Sequence, residues 1–296
     1  MRRHFRVVRL LVLGVGSASL ALGLLAAVVW LISDSRLNQR ISVAPETIGV
    51  PTDITAIQRG AHLAGAVAIC QSCHGATLGG GVVVDNAELR IVAPNLTHGR
   101  GGVGASFATS DFVRAIRYGL DPSGRLLLSM PADAYFSFSD ADLGDLIAFL
   151  EVLPPADSSL PDGELHPLGR LLFVTGQLRL LPAAGLDHTP PPPTSADPTV
   201  TPSYGSYLVE TAGCGRCHGQ SLSGGDVRDV STGAVPAPSL APAALASWTQ
   251  ADFVTAMRTG RRRDGSVLDA RMPWRYYAQL SDLELDAVWA ALTLRP

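Results

Sequence analysis

The chain has 296 residues, 47% hydrophobic and 17% charged, with a formal net charge of −3. All 23 basic charges are arginine and no lysine occurs, which excludes a P-loop phosphate site, a pyridoxal-phosphate or Schiff-base enzyme and a lysine general base. The negative balance argues against a nucleic-acid binder driven by counterion release, and the length allows one domain or two.

Arg2, Arg3, Arg6 and Arg9 precede residues 10–33, a run of 24 without a charge. A helix of that length extends roughly 36 Å, enough to cross a hydrocarbon core of about 30 Å with some tilt. Four arginines before the run and Asp34 after it place the N-terminus inside and the rest of the chain outside the cytoplasm. Residues 1–33 thus read as a single-pass anchor in a bacterial cytoplasmic membrane, with the remainder on the periplasmic side. A cleaved signal peptide is the rival reading, with Ala26 and Ala27 as cleavage points. Either one exports the rest of the chain.

The four cysteines form two identical patterns, Cys70-Gln71-Ser72-Cys73-His74 and Cys214-Gly215-Arg216-Cys217-His218. They open an internal repeat. Pro94 follows His74 by 20 residues and Pro238 follows His218 by 20. Pro94-Asn95-Leu96 corresponds to Pro238-Ser239-Leu240. The segment Asp111-Phe112-Val113-Arg114-Ala115 corresponds to Asp252-Phe253-Val254-Thr255-Ala256, Met130-Pro131 to Met272-Pro273, and Ser139 to Ser281. The copies cover residues 53–155 and 201–296, with a linker at 34–52 and a connecting segment at 156–200.

Each copy predicts three helices. One leads into the cysteines and carries Gly60 or Gly205. One starts near Asp111 or Asp252 and stops at Gly119 or Gly260. One starts at Ser139 or Ser281 with an acid three positions on, where Asp142 is a weaker capping-box partner than Glu284. Gly- and Pro-rich loops are expected between them. In the connecting segment, residues 165–181 mix apolar residues with Arg170 and Arg179, which suits a short helix packed on a module or on a partner. Pro190-Pro191-Pro192-Pro193 reads as a semi-rigid polyproline spacer.

Four cysteines in an exported chain could form two disulfides, and Cys-x-x-Cys pairs are also zinc ligands. Disulfides do not call for a histidine after each pair, and zinc ribbons place their pairs far closer than these. Two Cys-x-x-Cys-His units in two repeats match the attachment pattern of c-type haem, so two covalently bound haems c are expected. Two thiols three positions apart on a helical turn can each add to one vinyl group of a porphyrin. His74 and His218 then lie under the iron. Met130 and Met272, 56 and 54 residues beyond those histidines, are the candidate sixth ligands. A methionine is otherwise commonly a gap-filling core residue, and Met257 reads as one. His4, His62, His98, His166 and His188 have no repeat counterpart and read as surface or loop residues.

With these motifs in place, both copies resemble class I cytochrome c domains. The resemblance implies an all-α fold of two tandem domains behind one transmembrane helix. It also implies close helix crossing at Gly60 and Gly205, and Pro94 and Pro238 as carbonyl acceptors for the two histidines. The Pro-Asn-Leu segment, the Asp-Phe-Val-Arg-Ala-Ile-Arg helix and the Met-Pro turn further resemble the cytochrome subunit of membrane-bound alcohol and gluconate dehydrogenases. That subunit normally carries three haems, whereas this chain has two attachment sites.

Closed His/Met ligation at both irons favours an electron-transfer protein over an enzyme. Such a protein is expected to serve redox partners or a membrane oxidoreductase complex, to touch lipid through its N-terminal helix and to bind no nucleic acid. The alternatives are a diheme peroxidase in which one methionine dissociates, and a structural subunit. The first copy holds ten acids and six arginines; the second holds nine of each. Arg258, Arg261, Arg262, Arg263, Arg271 and Arg275 bracket Met272, a basic rim suited to an acidic redox partner.

Overall fold

The structure, a computed structural model, describes residues 2–44, 46–187, 197–229 and 233–294. The polyproline spacer at Pro190 to Pro193, and His188, lie outside the described residues, as does the side chain of His4. The first element, α1 (Arg2–Leu37), is one continuous helix. Its stretch Val8–Leu37 is long and apolar enough to cross a membrane, with a mean hydropathy of 2.2 over 18 residues that the described chain leaves uncovered. Only near its end does it meet other parts of the chain, where Ser33 is buried. The helix runs past residue 33, carrying Asp34 and Arg36 beyond the apolar run.

The first half continues as α2 (Ile54–His62), a π-helical turn (Leu63–Val67), α3 (Gln71–His74), strands β1 (Gly81–Asp85) and β2 (Leu89–Ala93), α4 (Thr109–Tyr118), α5 (Ala132–Tyr135) and α6 (Asp140–Glu151). The connecting segment holds strand β3 (Glu164–Leu165), α7 (Pro167–Val174) and a 3-10 turn (Pro182–Gly185). The second half repeats the order: α8 (Pro202–Thr211), α9 (Cys214–His218), β4 (Gly225–Asp229), β5 (Gly233–Ala237), α10 (Pro242–Leu245), α11 (Gln250–Thr259), α12 (Trp274–Tyr277) and α13 (Asp282–Thr293).

The all-α expectation is corrected in one respect. The scaffold is mostly helical, but the stretch after each histidine, expected as loop, is an antiparallel hairpin: β1 with β2, and β4 with β5. In the first half, β-branched Val82, Val83, Val84, Ile91 and Val92 favour extended backbone. A register shift between Val82 and Val84 lets a run of valines that does not alternate with polar residues sit in a two-faced hairpin. The Asn86 carboxamide accepts from the Glu88 and Leu89 N–H groups at 3.0 and 2.9 Å and holds the turn. β3 joins the free edge of β2, so the connecting segment completes a three-stranded sheet on the first half.

The linker is likewise packed rather than free. Ile41 donates to the Gly124 carbonyl at 2.9 Å, and Ile48 is buried in the main core.

The frame of each half is the crossing of its first and last long helices. A Cβ on Gly60 would lie 1.9 Å from the Asp145 carbonyl oxygen of α6, and one on Gly205 would lie 1.8 Å from the Ala287 carbonyl oxygen of α13. The helices meet backbone to backbone, which only glycine permits. The halves differ just after this point. Cys70 follows Gly60 by ten residues, while Cys214 follows Gly205 by nine. The extra residue is taken up by the π-helical turn, where the Ala68 N–H reaches the Leu63 carbonyl at 2.8 Å. Both routes arrive at the first cysteine through a left-handed residue, Ile69 (φ 44°) in one half and Gly213 (φ 69°) in the other.

Replacing Gly205 by alanine should force these helices apart and destabilise the second half by roughly 3 kcal/mol, the upper range for core overpacking. Denaturant unfolding followed by far-ultraviolet circular dichroism measures this. A loss no larger than that of an exposed Gly-to-Ala change would mean that the backbones do not touch.

Candidate functional site

Each Cys-x-x-Cys-His sequence forms a single helical turn, α3 or α9, and no disulfide joins either pair. Cys70 and Cys214 are half-buried and Cys73 and Cys217 are exposed, so each pair straddles an edge of the core. Burial pushes the Cys70 thiol up to about 12. His74 and His218 are buried, at 9% and 8% exposure. Each Nδ1 donates to a proline carbonyl, His74 to Pro94 and His218 to Pro238, both at 2.8 Å. Only the Nδ1–H tautomer can make that bond, which leaves the Nε2 lone pair available to a metal. Burial holds both histidines below the ordinary imidazole value, while the bond to proline pulls the other way.

The loop that brings proline under histidine is the same in both halves. The Gly80 N–H returns to the His74 carbonyl and the Gly224 N–H to the His218 carbonyl, each at 2.8 Å. Leu78 (φ 58°) and Leu222 (φ 57°) are buried in the left-handed region. Their carbonyls accept from Leu96 and Leu240 at 2.8 Å, which seats the proline segment. Two bulky residues in a strained conformation at matched positions indicate that the surrounding contacts dictate this loop. Gly80 and Gly224 have no room for a side chain, since a Cβ would lie 2.7 Å from the Asn95 and Ser239 nitrogens respectively.

Met130 and Met272 are half-buried against the apolar core that Cys70 and Cys214 also border. Their turns match: Ala132 N–H donates to the Met130 carbonyl and Trp274 N–H to the Met272 carbonyl, both at 2.8 Å. Met257, placed by sequence in the core, packs against the same cluster from α11. Near the end of the helix before each methionine stands a matched arginine. Arg117 is fully buried and donates to the Phe138 carbonyl at 2.7 Å and to Asp140 at 2.9 Å, and pairs with Glu46. Its counterpart Arg258 donates to the Ala278 and Leu280 carbonyls and to Asp282 at 2.6 Å. Arg258, read from sequence as part of a basic rim, therefore has a structural task. Arg261 and Arg263 are exposed, although each also donates to a loop carbonyl.

These residues fit covalently attached haem c. The thiols are not consumed by disulfides, each imidazole is oriented with one nitrogen tied and the other available, and a thioether borders the same apolar core. The hydrogen-bond partners of the histidines are the prolines expected from the family resemblance.

The contact between halves was not legible from the motifs. α5 packs on α8, and α12 packs on the π-helical turn after α2, so each half lays the helix after its methionine against the other's leading helix. Two polar links repeat with the same symmetry. Tyr207 of α8 donates to Asp142 of α6, and His62 of α2 donates to Glu284 of α13 at 2.9 Å. His62 and Tyr207 each follow their crossing glycine by two residues, so they are repeat counterparts of unlike chemistry. His62, read from sequence as a surface or loop residue, is thus a half-buried helix residue with an acidic partner. Arg59 pairs with Asp142 and, at 3.2 Å, with Asp145. Arg216, inside the second attachment turn, pairs with Asp133 of α5 at 3.3 Å. Tyr135 and Tyr277, also repeat counterparts, are buried on this face and donate to Ala68 and Ala212, just before the first cysteine of each pair. Aligning residues beyond the Met-Pro turn would have revealed this tyrosine pair.

Comparison with known proteins gives the class. Residues 55–150 match the family model described as cytochrome C oxidase, cbb3-type, subunit III, so the first half carries a c-type cytochrome domain. The chain is 28% identical to a protein named diheme cytochrome c-type from Cereibacter sphaeroides, over 77% of this chain and 82% of that one. It is 30% identical to the fructose dehydrogenase cytochrome subunit of Gluconobacter japonicus, over 69% of this chain and 45% of that one. It is also 30% identical to the cytochrome c subunit of a quinone alcohol dehydrogenase from Gluconobacter oxydans, over 71% of this chain and 48% of that one. The match thus spans less than half of each dehydrogenase subunit.

The His62–Glu284 link makes the join between halves sensitive to pH. The hydrogen bond to Glu284 raises His62 above its ordinary 6.5, against the opposing effect of burial. Burial pushes Glu284 up, but the bonds from His62 and Ser281 outweigh it and leave it below 4.5. A raised histidine stabilises fully below its unfolded value and loses this as pH rises through its folded value; a lowered carboxylate does the reverse. The stability gap between the wild type and His62→Gln should therefore be widest between the unfolded values of 4.5 and 6.5, and should narrow towards alkaline pH. Thermal melts across that range measure it, and a gap independent of pH would rule out the ion pair.

Proposed function

We propose that the chain is a diheme c-type cytochrome that carries electrons on the extracytoplasmic side of a membrane, as a subunit or relay of an oxidoreductase complex rather than as a catalyst. The observation that carries this reading is the duplicated attachment turn, in which each following imidazole is tied through Nδ1 to a proline carbonyl at 2.8 Å. On this reading residues 53–155 and 201–296 are two class I cytochrome c domains. Cys70, Cys73, Cys214 and Cys217 form the thioethers, His74 and His218 are the proximal ligands, and Met130 and Met272 the distal ones. Bound haem c supplies a one-electron centre whose potential is raised by methionine ligation.

The protein's own residues keep that centre closed and oriented. Pro94 and Pro238 fix the imidazole rings and raise their basicity. Arg117 and Arg258 tie the helix before each methionine, α4 or α11, to the start of the last helix. The face shared by the halves, with Arg216 of one attachment turn against Asp133 of the other half, supports electron passage from one site to the other. The names of the dehydrogenase relatives support a place beside a dehydrogenase, and the exposed Arg261 and Arg263 support docking of an acidic partner near Met272.

Purified protein should contain two haems per chain by pyridine haemochrome assay, and the double substitution Cys214→Ser, Cys217→Ser should leave one. Met272→Ala should remove one of two sulfur-to-iron absorption bands and lower one of two midpoint potentials. If both bands survive, Met272 is not a ligand.

A further inference from the structure

The helix of the connecting segment, α7, joins the membrane helix to the first half and keeps one face free. Arg170 stacks its guanidinium 3.6 Å from the centre of the Trp30 ring and donates to the Ser33 hydroxyl at 2.7 Å. In return Arg36 of α1 donates to the Val174 carbonyl at 3.1 Å, at the C-terminal end of α7. The adjoining side of α7 presses on the hairpin, where a Cβ on Gly169 would lie 2.0 Å from the Glu88 carbonyl oxygen. Phe173 is buried with Leu89, Ile91 and Leu180, and Leu37 of α1 packs against the same cluster. What remains uncovered is Leu168 and Leu171, three residues apart on one face and 47% and 42% exposed.

The height of that face depends on the length of the anchor. A hydrocarbon core of about 30 Å takes roughly 20 helical residues, so a run beginning at Leu10 reaches the headgroups near Trp30, the level at which tryptophan is favoured. α7 is clamped at Trp30, Ser33 and Arg36, so it lies at that level. Trp30 and Leu31 of α1, at the same level, are exposed as its leucines are. Arg36 and Arg170 stand beside it, as suits anionic phosphates. Resting on the reading of α1 as a retained anchor, we propose that α7 is an interfacial helix, with Leu168 and Leu171 inserted at the boundary between acyl chains and headgroups. The outer leaflet then forms a second attachment that fixes the tilt of the first half against the membrane.

The test uses the full-length holoprotein in vesicles of phosphatidylethanolamine and phosphatidylglycerol, with one added thiol at a time and a charged, membrane-impermeant maleimide. Leu168→Cys and Leu171→Cys should react roughly tenfold more slowly than Val267→Cys on an exposed loop, while Leu22→Cys within α1 stays protected. Rates equal to that of Val267→Cys, with Leu22→Cys still protected, would overturn the proposal and leave the anchor intact. Reaction at Leu22→Cys, with release of the chain by alkaline carbonate, would overturn the anchor reading and the proposal with it. Protection in native membranes that is absent from the pure lipid vesicles would assign the face to a partner protein instead of lipid.

Discussion

Two helix backbones touch at Gly60 and Asp145, and again at Gly205 and Ala287, and these contacts govern where everything else in each half can sit. Helices this close leave no layer of side chains between them at the crossing, so the angle and position of the pair are fixed by main-chain atoms. The leading helix must then deliver its attachment turn at one set place. The closing helix must present its N-terminal turn on the side that the other half covers. Where the chain is one residue longer between glycine and cysteine, the backbone accommodates it as a π-helical turn rather than by moving the crossing. The local irregularity is the consequence of a global position that cannot shift.

The same closing helices join the halves. In α13 Glu284 completes a capping box, accepting from the Ser281 N–H at 2.7 Å, and still reaches His62. In α6 the shorter Asp142 is engaged by Arg59 and Tyr207, and the Ser139 N–H is met at 3.2 Å by the Tyr207 hydroxyl instead. An ordinary cap has thus been recruited into an interface. The acids are buried, so each costs desolvation that its partners must offset, and both are supplied with more than one donor. One link uses a phenol and the other an imidazole raised above its ordinary value by Glu284, so the two sides of a nearly symmetric interface differ in the chemistry of their donors.

Legibility in the sequence followed the repeat. Features present in both copies with the same residue types could be placed by spacing: the attachment turns, the proline segments, the helix ending at Gly119 and Gly260, and the serine caps. Features whose chemistry differs between copies were invisible for that reason. His62 and Tyr207 do the same work with unrelated side chains, and Arg59 reaches across helices by a contact no local pattern encodes. The hairpins were missed on other grounds. Their glycines and prolines read as loop, and Val82 to Val84 lacks the alternation that marks a half-buried strand. Residues 165–181 were recognised as a packing helix, but its partner, the end of the membrane helix, lies more than 130 residues away in sequence.

The two halves share a scaffold but present different exteriors. The first is wrapped by the linker, by β3 on its sheet edge, and by α7 wedged between its hairpin and α1. Its Arg117 is fully buried and paired with Glu46 of the linker. The second half has no such wrapping among its described residues, and its counterpart turn is bordered by exposed Arg261, Arg263, Arg271 and Arg275. Arg271 among them pairs with Asp269 at 2.6 Å, so its charge is offset within the loop. One scaffold thus carries a first half built into the segments around it and a second half whose methionine turn is bordered by exposed arginines.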